Sequence, residues 1–320
     1  MRTAFIQTLC KLAERDKAIW LLNGDLGYTV VEPFAEMFPE RYVNCGVAEQ
    51  NMSGMAAGIA LSGKKVFTYS IANFPTLRCL EQIRNDICYH KAPVTIVAVG
   101  GGYSYGSLGY THHGIEDIAI MSVLPQMRVL APGDPVETTL AVEAIVADPA
   151  PTYLRLGKAG EPVVHAKAPA FRLGKAIKVR EGDAVTVIAT GAMLHPVLTV
   201  TDRWRSENIA IRVLSMHTIK PIDAEAVCAA ARETSAILTV EEHRIDGGLG
   251  SRVADVLIGA RLAVPMRKIG VAPDWLPGTG SADFLRASMG SIDQAIEALL
   301  AEKGASDARG KRLVQVSADR

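Results

Sequence analysis

Glu49 and the pair His112-His113 are, by type, the residues best suited to moving a proton. A carboxylic acid and an imidazole that titrates near neutrality are the common partners in general acid–base work. Glu49 opens the small-residue helix Glu49-Gln50-Asn51-Met52-Ser53-Gly54-Met55-Ala56-Ala57-Gly58, just after Asn44-Cys45-Gly46-Val47-Ala48. Free N–H groups at a helix start favour a carboxylate, so alone Glu49 reads as an ordinary acidic first turn. Gly54 and Gly58 lie four apart with Ala57 beside them, which leaves one helix face nearly bare and open to close approach. His112 ends a loop over 100–114 rich in Gly, Tyr and Ser. That loop is long for a compact α/β domain, and such loops are usually functional. Cys45, four residues before Glu49, is a candidate nucleophile without a motif, and more simply a buried thiol.

The elements that must hold these residues follow from the apolar pattern. Residues 2–15 have helical spacing, with Phe5, Leu9 and Leu12 on one face, and Ile19–Leu22 is a strand. Further strands are expected at 41–43, 65–70, 93–99, 127–130 and 152–156. Helices are expected over 48–61, 76–90 and 135–147, and another is capped by Glu116-Asp117. The largely apolar run Val94–Val99 is typical of a strand buried on both faces. A second series follows, with strands near 185–190, 209–214, 236–241 and 266–271. Its helices lie near 194–205, 224–233, 249–260 and 281–302. Strands alternating with helices give an α/β fold: two doubly wound, mostly parallel-sheet domains in tandem. The divisions are 1–160, a linker over 161–180, 181–303, and a polar tail over 304–320 expected to be mobile. Ligands collect at the carboxyl ends of such strands. That rule brings Asp25, Glu49, Phe74 and the His112-His113 loop to one edge and lifts Glu49 above a plain first turn. Glu241, Glu242 and His243 in the second domain read as solvated strand-end charges.

The 320 residues suffice for two α/β domains, and 49% hydrophobic with 21% charged residues is globular composition. Formal net charge is zero, and no basic patch argues for nucleic acid. The five cysteines form no C-x-x-C pair and read as reduced thiols of a cytoplasmic protein. No signal peptide and no apolar run of membrane-spanning length is evident.

Gly46-Val47-Ala48-Glu49-Gln50-Asn51-Met52 resembles the Gly-Ile-Ala-Glu-Gln-Asn-Met signature of transketolases and deoxyxylulose-phosphate synthases. Tyr110-Thr111-His112-His113-Gly114-Ile115-Glu116-Asp117 resembles their Pro-Thr-His-Gln segment, and Ala131-Pro132-Gly133-Asp134 their Pro-Ala/Ser-Asp turn. Glu241-Glu242-His243 with Gly247-Gly248-Leu249-Gly250-Ser251 is similar to the start of their C-terminal domain. The likeness covers about residues 1–300 and begins at the pyrimidine-binding domain. It implies the C-terminal subunit of a split transketolase, working with an N-terminal subunit that binds the diphosphate and Mg2+ of thiamine diphosphate. An α2β2 heterotetramer is expected, with a sugar or sugar phosphate as substrate and no nucleic acid or membrane. Gly24-Asp25 lacks the third residue of the Gly-Asp-Gly motif that binds Mg-diphosphate, so it reads as a strand-end turn.

The resemblance assigns Glu49 to the N1′ edge of the cofactor's aminopyrimidine, where a carboxylic acid keeps the 4′-amino group basic. Phe74 matches the aromatic residue that stacks on that ring, and Ile71 stands where transketolases often carry another aromatic. His112 matches the histidine that contacts the donor hydroxyl, and His113 and Tyr103 are placed with the substrate. Arg2 and Lys158 fall near the positions that hold a sugar phosphate. Gly100 replaces a usual histidine, and Leu108 stands where an Asp normally reads the donor's stereochemistry. A specialised donor is therefore expected. The implied reaction is transfer of a two-carbon ketol unit from a ketose to an aldose. Three alternatives share parts of the pattern: the beta-type subunit of a two-oxoacid dehydrogenase, a deoxyxylulose-phosphate-synthase-like carboligase, and a non-catalytic binding module. Asn51-Met52 and the Thr-His loop favour the transketolase side.

Overall fold

The structure is a computed structural model describing residues 1–276 and 278–302; the expected tail lies outside the described residues. In the first half, helices α1 (Arg2–Arg15), α2 (Glu32–Met37), α3 (Glu49–Leu61), α4 (Leu80–Gln82), α5 (Asp117–Val123) and α6 (Pro135–Ala147) alternate with strands. Those strands are β1 (Ile19–Asn23), β2 (Tyr42–Asn44), β3 (Lys65–Ile71), β4 (Val94–Val99), β5 (Arg128–Leu130) and β6 (Thr152–Leu156). In the second half come β7 (Ile177–Arg180), β8 (Thr186–Ala189), β9 (Arg212–Ser215), β10 (Thr218–Lys220), β11 (Ile237–Arg244) and β12 (Met266–Val271). Its helices are α7 (Leu194–Ser206), α8 (Ala224–Glu233), α9 (Leu249–Gly259) and α10 (Ala282–Ala287), followed by α11 over 292–302.

Two sheets result, in the orders β10-β5-β6-β4-β3-β1-β2 and β12-β11-β8-β9-β7. Every pairing is parallel except β10 on β5 and β7 on β9. This is the doubly wound α/β arrangement expected. Two short antiparallel strands were not anticipated. The segment expected to link the domains ends in β7, which pairs into the second sheet. After β9 the chain adds β10 to the edge of the first sheet, so the halves share a strand. From β1 the chain steps to one side for β2 and to the other for β3, which puts the switch point of the first sheet between β1 and β3.

Each sheet is covered on both faces. On one side of the first sheet, Phe5, Leu9 and Ala13 of α1 meet Val142 and Ile145 of α6 and Phe67 of β3. On the other, Met52, Ala56 and Ala60 of α3 meet Ile83, Ile87, Val94 and Ile96. Small α3 side chains let this helix lie close to the sheet, which sinks its first residue into the protein.

Two expected helices are irregular. Over 77–88 the chain makes a 3-10 turn, the single turn of α4 and a wide π-type turn. The expected helix over 281–302 breaks between α10 and α11, where Gly290 has a φ of +103°. Glu116 does not cap α5 through its side chain; it accepts from Arg244 instead.

Candidate active site

Glu49 is the first residue of α3 and 1% exposed. Its carboxyl lies at the switch point: a Cβ on Gly24, just past β1, would stand 3.3 Å from Ser70 Oγ of β3 and 3.5 Å from Glu49 Cγ. Glu49 Oε1 is 3.5 Å from the Ser70 hydroxyl, and Oε2 accepts from Arg78 Nη1 at 3.1 Å. The Arg78 guanidinium in turn lies over the Phe74 ring, 4.7 Å from its centre. Phe74 meets His112 edge to face, with ring centres 5.2 Å apart. An acid, a flat aromatic face and an imidazole thus form one continuous contact chain. Beside them is a hollow of about 460 Å³ lined by Asn73, Phe74, Leu77, Tyr110, Thr111 and Ile120 among others.

The long loop is held in shape by its own closures. Gly102 and Gly114 exchange backbone hydrogen bonds of 2.7 and 3.0 Å. Asn73 Nδ2 donates to the carbonyls of Thr111 and His113 at 3.2 and 2.7 Å, which ties the loop to the Phe74 turn. Thr111 Oγ1 is 3.0 Å from His112 Nδ1, and this occupies that nitrogen. Burial, then the charge of His113, pushes the His112 pKa below its ordinary value, so the ring is neutral near pH 7. It can donate or accept a hydrogen bond but offers no fixed positive charge.

Beneath the loop runs a buried charge network. Arg155, 4% exposed, donates to Asp117 Oδ2 at 2.8 Å, to the Gly114 carbonyl at 2.6 Å and to the Glu242 carbonyl at 2.9 Å. The Tyr153 hydroxyl reaches the same Asp117 oxygen at 2.6 Å. Arg286 makes two bonds to the Glu242 carboxylate, which also receives the Tyr103 N–H. The run Gly100-Gly101-Gly102 fits here because side chains would strike the Tyr105 ring, Arg155 and Glu242 respectively.

The structure brings Glu49, Phe74 and His112 together and sets Ile71 at the end of β3, one turn before Phe74. Arg2 and Lys158 meet as a second group around Tyr105. Lys158 Nζ is 5.4 Å from the Tyr105 ring centre, and Arg2 opposes the upward pull that burial exerts on the Tyr105 pKa. Two expected substrate contacts are corrected. Tyr103 and His113 are fully buried, stacked edge to face on each other, with His113 Nε2 on the Gly106 carbonyl. They support the loop from behind and present no surface to a substrate. Glu241, Glu242 and His243 are also buried rather than solvated; Glu241 takes the N–H groups of Leu249 and Gly250 at the start of α9. Arg78, Asn73 and Arg155 escaped the sequence reading, and Asp117 was read there only as part of a helix cap and of the Thr-His segment. The one local signal was Arg78 four residues after Phe74.

The transketolase pyrimidine-binding domain matches residues 1–160, and the transketolase C-terminal domain matches residues 174–296. An apulose-4-phosphate transketolase subunit from Phocaeicola vulgatus is 41% identical over 275 residues, 85% of this chain and 87% of that protein. A 6-deoxy-6-sulfo-D-fructose transketolase subunit from a Clostridium species is 35% identical over 291 residues, 91% of this chain and 90% of that protein. The solved structure of a split-gene transketolase described as an inactive beta4 tetramer superposes with a TM-score of 0.85 at 37% identity, over 94% of this chain and 97% of that one.

Proposed function

The chain belongs to the transketolase family, and we propose that it is the pyrimidine-binding subunit of a split, thiamine diphosphate-dependent transketolase. In this reading it moves a two-carbon ketol unit from a ketose to an aldose when joined to an N-terminal subunit. Residues 1–160 would form the pyrimidine-binding domain, and the C-terminal domain would take in β7 at the end of the expected 161–180 linker. One observation carries the reading: a buried acid at the switch point, Glu49, leads through Arg78 to the face of Phe74, with a neutral imidazole at the ring's edge.

The residues present fit the aminopyrimidine. Among the described residues Glu49 Oε1 has only the 3.5 Å contact with Ser70, Gly24 leaves room over the carboxyl, and Phe74 offers a flat apolar face. Glu49 would hold a proton at the ring nitrogen, Phe74 would stack on the ring and Ile71 would border it. When bound, thiamine diphosphate supplies the carbon that adds to the ketose carbonyl and the electron sink for the bond that breaks. His112, its Nδ1 committed to Thr111, has Nε2 for a donor hydroxyl, and the buried His113 fixes its position. Arg2 and Lys158 beside Tyr105 would hold a terminal anion of the sugar; Lys158 does so as a point charge, without the planar fork of Arg. The two named relatives act on a phosphorylated and a sulfonated ketose, which supports a donor with such a group.

The partner would cover the edge that carries Glu49. There α3 turns Gly58 outward with nothing within 4 Å of a Cβ, while Val47 and Leu77 are 72% and 50% exposed. The diphosphate and Mg2+ are assigned to that partner, in an α2β2 assembly.

Affinity purification of the chain from its native extract, then native mass spectrometry, tests the assembly. A second subunit with bound thiamine diphosphate is expected. In that complex Glu49→Ala should cut turnover by about 10²–10⁴, the worth of a positioned acid, and leave the assembly intact. Turnover within tenfold of wild type would refute the role of Glu49.

A further inference from the structure

Arg78 sits where the proposed site needs a gap. Its guanidinium donates to Glu49 Oε2 at 3.1 Å and lies on the Phe74 ring at 4.7 Å, the two contacts that a protonatable flat ring would make. A guanidinium is planar, donates in its own plane and stacks on aromatic faces. It therefore occupies the place of the aminopyrimidine, against the same carboxyl group and the same aromatic ring, with the proton on the guanidinium instead of the acid.

We propose that Arg78 is an internal placeholder: its guanidinium fills the slot between Glu49 and Phe74 and must swing outward for the cofactor's ring to enter. This rests on the reading of Glu49 and Phe74 as the ring's site and adds a closed state to it. The local structure suits such a movement. The Arg78 side chain is 48% exposed while Glu49 beneath it is 1% exposed, so the arginine is the cover and can leave toward solvent. Its backbone is fixed by buried neighbours: Thr76 Oγ1 donates to the Ala72 carbonyl at 2.7 Å, and Cys79 is fully buried. The movement is thus one of side-chain torsions. Arg78 makes its only side-chain hydrogen bond among the described residues to Glu49, so that bond and the contact with the Phe74 ring are what must break. While the pair holds, Glu49 Oε2 is taken by Arg78 and is closed to the ring.

The test uses the full chain without a partner and the free pyrimidine 4-amino-5-hydroxymethyl-2-methylpyrimidine, with binding read by ligand-observed NMR and calorimetry. Arg78→Ala is expected to bind this probe at least tenfold more tightly than wild type, about 1.4 kcal/mol. Millimolar guanidinium chloride, by refilling the slot, should weaken that binding. Arg78→Lys keeps the charge but loses the plane, and should fall between. Equal affinity of wild type and Arg78→Ala, or binding to neither, overturns the placeholder. Thiamine diphosphate binding to the wild-type complex separates the two ideas. If the complex binds it and the free-chain difference is missing, only the placeholder fails. If the complex does not bind it, the reading of the site fails.

Discussion

Replacing Arg155 by Met removes the centre of the buried network under the active-site loop. Arg155 is 4% exposed and gives hydrogen bonds to Asp117, to the Gly114 carbonyl and to the Glu242 carbonyl. Without it the Asp117 carboxylate, itself 1% exposed, keeps the Tyr153 hydroxyl as its one side-chain donor. Asp117 Oδ1 already has no partner among the described residues, so the lost charge is not made good locally. Breaking a buried ion pair from one side costs about 3–5 kcal/mol. Each carbonyl left without a donor adds roughly 1–3 kcal/mol, although relaxation makes the terms less than additive. A loss of at least ~3 kcal/mol is expected, a large part of an ordinary domain's stability. Urea unfolding followed by circular dichroism measures it, and hydrogen exchange should show the 100–117 loop opening first. The double variant Arg155→Met with Asp117→Asn should recover at least ~1 kcal/mol, because the stranded charge is gone. A single-variant loss below ~1 kcal/mol, or a double variant worse than the sum of its parts, would refute the argument that this network holds the loop.

Two further effects follow from the same physics. His217, buried and stacked on Phe171 with ring centres 4.0 Å apart, has its pKa pushed down to about 4 by burial. The unfolded chain protonates there near 6.5, so stability is whole above pH 6.5 and falls by up to ~3 kcal/mol as pH drops toward 4. His165, raised by its hydrogen bond to Glu137, works in the other direction: its contribution is complete below pH 6.5 and is lost as pH climbs through the raised folded value. Urea midpoints across pH 4.5–8.5 should therefore fall off on both sides, with the acid limb flattened in His217→Asn; an identical acid limb in that variant would count against the assignment. Gly100→Ala forces a left-handed residue, φ +78°, against the Tyr105 ring. The backbone alone should cost ~1–2 kcal/mol in the urea midpoint, and adding Tyr105→Ala should relieve the clash but not the backbone share; wild-type stability of the single variant would contradict this.

The alternation of strands and helices was legible because parallel strands buried on both faces leave runs such as Val94–Val99 that periodicity finds directly. The short antiparallel strands were not. β10 has three residues and pairs with β5 from far along the chain, so no local pattern marks it. The same distance hid the charges. Glu242 looks like a solvated strand end until Arg286, 44 residues later, is seen on both of its oxygens. Glu241 looks alike until the α9 N–H groups are found on it. A burial prediction for a charge needs its partner, and the partner here lies in another element.

The site repeats this lesson at finer scale. Glu49, Phe74 and His112 could be placed on one edge from strand order and motif, but His112-His113 offered two imidazoles with one apparent role. Their backbone separates them. The 3-10 turn ends at His112, and His113 follows with extended dihedrals, which turns successive side chains to opposite sides. One ring must then look to the cleft and the other into the protein. Asn73 decides the outcome by taking the His113 carbonyl at 2.7 Å, and the Gly106 carbonyl receives the inward ring at 3.1 Å. The inward histidine also stands close enough to help depress the titration of the outward one. His113 therefore acts on His112 through position and charge, and a substitution at 113 should alter how 112 titrates before it alters what the cleft touches.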